Sequence, residues 1–135
     1  MPPEIYVSLV LTGSFDPSQV EMEIGLPCET RWREGEFVPK TKLVRKTCGV
    51  ILSIPKERTF DLEPQMHKLL DFLAPKKEAI LEVARKYCLA AEIGCAICST
   101  GEFPSVHFES KTLTRIQEFN AEIDIDIIFL GMEDG

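Results

Sequence analysis

The sequence predicts a single α+β domain: a mostly antiparallel five-stranded sheet with helices packed on one face, in the order β-α-β-α-α-β-β-α-β. Three observations point there. Both ends of the chain alternate apolar and polar residues, as half-buried strands do, with Ile5, Val7, Leu9 and Leu11 near the start and Ile123, Ile125, Ile127 and Phe129 near the end. Residues 62–87 instead space their apolar side chains as helices do. Residues 88–99 are apolar on nearly both faces apart from Glu92, the make-up of a strand covered on both sides or lying beneath helices. At 135 residues, 44% of them hydrophobic, the chain has the size of one domain around one core. That core is expected over about 4–130, with a frayed tail at 131–135.

Taken in order, residues 4–12 form the first strand, ended by Gly13. Asp16 is a good N-cap, Pro17 suits the first helical position, and Gln19 completes a capping box. Phe15 and Val20 have the spacing of a hydrophobic staple. Gly25 and Pro27 stop this helix within three turns. Residues 26–40 show no periodicity and carry the only tryptophan, Trp32. Irregular segments of that length are often functional. Residues 41–54 resume as strand, with Cys48-Gly49 a candidate bulge.

Asp61 is placed to cap a helix presenting Leu62, Met66, Leu69, Leu70 and Leu73. Ala74-Pro75 interrupts it, and a second helix runs over about 76–87. After the apolar strand, residues 100–104 turn and 105–109 form a short strand. Ser110 caps a helix with Leu113, Ile116 and Phe119 inward. The last strand, 122–130, turns Glu122, Asp124 and Asp126 away from the core.

Charge and composition exclude several functions. Lys and Arg number 15 against 22 Asp and Glu, a formal net charge of −7. A sequence-independent grip on nucleic acid or an anionic membrane needs a basic surface, so neither is expected as a partner. The apolar stretches near 90–97 and 127–130 are too short to span a bilayer, and the start Met1-Pro2-Pro3-Glu4 has no signal-peptide character. A soluble, cytoplasmic protein is expected. Five cysteines are an odd count for a disulfide framework and read as reduced thiols.

Gly13-Ser14-Phe15-Asp16-Pro17 opens a short helix ending at Gly25-Leu26-Pro27, followed by Thr30, Trp32 and Gly35. A strand at 49–54, the segment 104–108, a helix and Ile123-Asp124-Ile125-Asp126-Ile127 complete the pattern. Over about residues 4–129 this resembles a small bacterial family, domain of unknown function 4279. The resemblance implies no agreed activity, cofactor or catalytic residue. It raises toxin neutralisation as a role of some members.

Chemistry-bearing residues are few. Cys95 and Cys98 have redox CxxC spacing, but an offset of three puts them on opposite faces of a strand, so buried thiols are the plainer reading. Zinc would need a second ligand pair beside Cys28, Cys48 and His107. Nucleophile-elbow and phosphate-loop motifs are absent from the sequence. His67 and His107 read as ordinary residues. No catalytic residue, metal or cofactor is therefore assigned. Asp124 and Asp126, with Glu122 extending the row, share one strand face. They suit a solvated edge, a basic partner, or a divalent cation completed by Glu102, His107 or Glu109. Arg31-Trp32-Arg33 could form a binding hot spot, or Trp32 could plug the sheet with its arginines paired to Glu29, Glu34 or Glu36.

The function expected from these readings is a non-enzymatic protein-interaction module, of immunity or inhibitor type, with an acidic binding face. Its candidate residues are Arg31, Trp32, Arg33, Glu122, Asp124 and Asp126. The alternative is a small metal-dependent enzyme or ligand binder built on Asp124 and Asp126. A homodimer through an edge strand at 4–12 is compatible with both.

Overall fold

The computed structural model describes residues 1–131. Of the tail expected to fray, positions 132–135 lie outside the described residues. The order is β1 (Glu4–Gly13), α1 (Pro17–Ile24), β2 (Thr30–Trp32), β3 (Cys48–Ser53), β4 (Glu57–Arg58), α2 (Leu62–Leu73), α3 (Lys77–Lys86), β5 (Ala90–Ser99), α4 (Ser110–Gln117) and β6 (Glu122–Phe129). A 3-10 turn, Ala74–Lys76, joins α2 to α3 where Pro75 breaks the helix. None of these helices is long and apolar enough to cross a membrane.

The expected α+β fold is present, as an open sheet of order β2-β3-β1-β5-β6 with β4 paired to β1. All pairings are antiparallel except β5 with β6. The alternation of β1 sets the layers. Ile5, Val7, Leu9 and Leu11 are buried, and so are Ile93, Cys95 and Ile97 in register beside them on β5. Met66, Leu69, Leu70 and Leu73 of α2, Ile80 and Val83 of α3, and Val20 and Ile24 of α1 close the same core. The other sheet face is mixed, with the small or polar Ser8, Ser53, Gly94 and Ala96 beside Tyr6, Val10, Ile51 and Trp32.

The cap, the first-turn proline and the glycine stop of α1 hold, whereas Gln19 makes no return side-chain bond to the Asp16 amide among the described residues, so the expected capping box is not closed. Asp16 caps the helix, its carboxylate accepting from the Ser18 amide at 3.0 Å, and Gly25 ends it in the left-handed conformation with φ 79°. Tyr87 and Lys86 at the end of α3 tie α1 down through Glu23, at 2.5 and 2.9 Å.

Several expectations are corrected. Among the described residues there are six strands and not five, because β2 and β4 have only three and two residues, too few for periodicity to register. The strand expected at 41–54 begins at Cys48, and 41–47 belongs to an arm closed by a bridge between Phe37 and Val44. Cys48 and Gly49 pair in unbroken register with Gly13 and Thr12, so there is no bulge. The segment 105–109 is not a strand. It belongs to the crossover that carries the chain from β5 to the parallel β6, and its Phe108 packs against the core. Glu109, not Ser110, occupies the N-cap of α4, and Asp61 caps α2 without a side-chain bond. β1 is not an edge strand. It lies at the centre, between β3 and β5, and the true edges are β2 and β6.

Candidate functional site

The surface that stands out is the β6 edge. Parallel register sets Ile123, Ile125 and Ile127 beside Ile93, Cys95 and Ile97, so they share the core side. The parity is as expected, but the burial is not. Only Ile125 packs against the core, whereas Ile123, Ile127 and Phe129 are 36%, 59% and 62% exposed. α4 directs its buried Thr112 and Ile116 towards α2 and leaves this apolar row uncovered.

On the opposite face, Glu122, Asp124 and Asp126 lie beside Glu92, Gly94 and Ala96 of β5. The small Gly94 and Ala96 leave the two aspartates standing clear of the sheet. Glu92 completes a row of four carboxylates, and a recess of about 290 Å³ lies at its end, lined in part by Val10, Glu92, Asn120 and Glu122. Among the described residues, none of the four forms an ion pair. Partial burial, and then the charges of Asp124, Glu122 and Asp126, push the Glu92 carboxyl above its ordinary value.

The tryptophan loop sits at the far edge of the same sheet, so the two groups of candidate residues do not form one site. β2 pairs with β3 and lays the Trp32 ring over Gly49, where a Cβ would lie 2.0 Å from the indole. The Arg45 guanidinium covers the ring 4.3 Å from its centroid. Trp32 is thus held in a stack on the sheet. Its neighbours are committed to α1, Arg31 to Glu21 at 2.7 Å and Arg33 to Asp16 at 2.9 Å, in place of the expected Glu29, Glu34 and Glu36. The Ser18 amide, and after it Arg33, hold the Asp16 carboxyl below its ordinary value. Glu29 instead accepts from the hydroxyls of Tyr6 and Ser53, beside a surface pocket of about 550 Å³.

A family model described as Domain of unknown function (DUF4279) matches residues 3–130. The chain belongs to this family. No curated protein and no solved structure matches it.

The remaining candidates in this DUF4279 chain fall in separate places. Cys95 faces the core and Cys98 the other side of β5, as their offset requires, and burial pushes the Cys95 thiol up to about 12. Cys28 is pushed up to about 12 as well, by burial and then by Glu21. Among the described residues, no group of three or more His, Cys, Asp and Glu side chains is arranged to hold a metal ion. His107 and Glu109 lie near Glu63 of α2, and the Glu109 amide donates to the Glu63 carboxylate at 2.5 Å. That contact belongs to the helix layer, whereas Asp124 and Asp126 stand on the opposite sheet face.

One cluster was not anticipated. Arg115 can only donate, so its 2.8 Å contact makes His67 Nδ1 an acceptor. His67 Nε2–H then donates to Thr112 Oγ1 at 3.0 Å, and Thr112 donates to Glu63 at 2.6 Å. Arg115 also pairs with Asp71 at 2.8 Å. The chain of bonds clasps α4 to α2. Its trace in the sequence was faint: polar residues at helical spacing, Glu63, His67 and Asp71 on one helix and Thr112 and Arg115 on the other.

Proposed function

We propose that this DUF4279 chain is a cytoplasmic, non-enzymatic interaction module of inhibitor or immunity type, docking a basic protein partner on the acidic β6 edge. The observation that carries the reading is the row Glu122, Asp124 and Asp126 of β6 with Glu92 beside it on β5, free of ion pairs among the described residues, on a sheet edge whose other face exposes Ile127 and Phe129. Clustered like charge destabilises the folded chain through self-repulsion. A basic partner relieves the repulsion and gains speed of encounter and selectivity from it. The exposed apolar row supplies the area that charge alone lacks.

The test is recovery of a partner from the native lysate by the tagged full chain at moderate salt. Asp124→Lys combined with Asp126→Lys is expected to abolish recovery, and Trp32→Ala to leave it intact. Recovery that survives the reversal and disappears with Trp32→Ala would move the binding surface to the opposite edge.

A further inference from the structure

We propose that the outer edge of β6 is a strand-addition site, taking one extended segment of a partner protein in which basic residues alternate with apolar ones. The proposal rests on the acidic edge being a docking surface and adds the form of the partner.

β6 is hydrogen-bonded on one side only, to β5. Along its eight residues the outward N–H and C=O groups are a ladder without a partner strand among the described residues. Another extended backbone satisfies such a ladder, and the side chains then choose its sequence. On one face Glu122, Asp124 and Asp126 recur at every second position, calling for Lys or Arg at every second position of the added strand. On the other face Ile127 and Phe129 are exposed, with the Phe103 ring tilted beside Phe129 at 6.5 Å between centroids, so the alternate positions would be apolar. Acidic charge confined to one face repels like edges and admits basic ones.

A second copy fits poorly. Antiparallel pairing of two β6 edges centred on Ile125 would set each copy's Asp124 against the other's Asp126, and like charges opposite one another destabilise a ladder. The net charge of −7 opposes the approach of two chains. The chain's own basic and apolar run, 40–46, lies in the arm, where Arg45 is engaged on Trp32.

The test uses the full chain and labelled peptides, read by fluorescence anisotropy. One peptide alternates lysine and valine. A second has the same composition with its lysines grouped. Two further versions of the first are N-methylated at the lysines only or at the valines only. The alternating peptide is expected to bind at least about tenfold more tightly than the grouped one, a difference of about 1.4 kcal/mol. One N-methylated version keeps its binding and the other loses it, because successive amides of a strand point to opposite edges. Asp124→Lys with Asp126→Lys abolishes binding.

Equal binding of alternating and grouped peptides, both lost on charge reversal, would overturn strand addition while the acidic docking surface stands. Equal binding that survives reversal, or no binding by any peptide, would also overturn it, and lysate recovery would then judge the docking surface separately. Self-association of the chain alone, lost in Lys40→Glu with Lys42→Glu, would assign the edge to a second copy and refute the proposal.

Discussion

Gly49→Ala tests how the tryptophan loop is held. The added Cβ would lie 2.0 Å from Trp32 Cζ2 and 2.3 Å from Cε2. Carbon atoms rest about 3.5–4 Å apart, so the ring must retreat by about 1.5 Å or leave the sheet. Retreat is blocked by the Arg45 guanidinium, 4.3 Å from the ring centroid. Losing that stack costs about 1 kcal/mol. Uncovering part of the indole costs on the order of 1–2 kcal/mol more, within the range for exposing a large apolar side chain. The expected destabilisation is therefore about 2–3 kcal/mol, with β2 detached from β3. Trp32 is the only tryptophan, so its fluorescence reports on this site alone. Emission should shift to the red, acrylamide should quench it more readily, and the urea midpoint should fall. In a Trp32→Ala background the Gly49→Ala effect should nearly vanish, the signature of direct coupling. An unchanged emission maximum and midpoint in Gly49→Ala, or a full effect without the indole, would refute the stacking account.

Three further outcomes follow from the same geometry. Thr112→Val removes a fully buried hydroxyl that bridges His67 and Glu63, and should lower unfolding stability by about 1–3 kcal/mol in urea titrations; an unaltered midpoint would remove the clasp from the account. The Glu92 carboxyl is raised in the folded state, so the folded chain holds its proton more tightly than the unfolded one, and stability falls as pH rises through the ordinary carboxylate value of 4.5 towards the folded one. Glu92→Gln should thus be stabilising at pH 7 and lose that gain below the ordinary value, as thermal unfolding across pH would show; a gain that persists in acid would point to packing instead. With a thiol reagent at neutral pH, exposed Cys88 should react first and Cys95 only on unfolding, being buried with a thiol pushed up to about 12; early labelling of Cys95, tracked by peptide mapping, would contradict its burial.

The parts of the fold that the sequence made legible are those decided locally. Alternation placed the Ile5 to Leu11 row of β1 on the core face, and Asp16 and Gly25 bounded α1 through their own backbone chemistry. Pairing order was not legible, because a strand alternates in the same way at the centre of a one-sided sheet as at its edge. That is why residues 4–12 read as an edge although β1 lies between β3 and β5. The apolar run of β5 read as covered on both sides because Gly94 and Ala96 count as apolar, yet their smallness suits the face opposite the one on which α1, α2 and α3 pack. The carboxylate row was visible as an offset of two. Its setting was not, since the edge position of β6 and the exposure of Ile127 and Phe129 follow from where α4 packs. The arginines beside Trp32 could be seen to need acidic partners, but Glu21 and Asp16 come from α1, which reaches them only once β2 has joined β3.

The docking claim is tested most directly by amide hydrogen exchange of the full chain, alone and bound to the partner recovered from lysate. β6 is an edge strand, so its outward amides should exchange readily in the free chain and become protected on binding over Glu122–Phe129. Protection confined to the 26–45 segment, with β6 exchanging as in the free chain, would contradict the account.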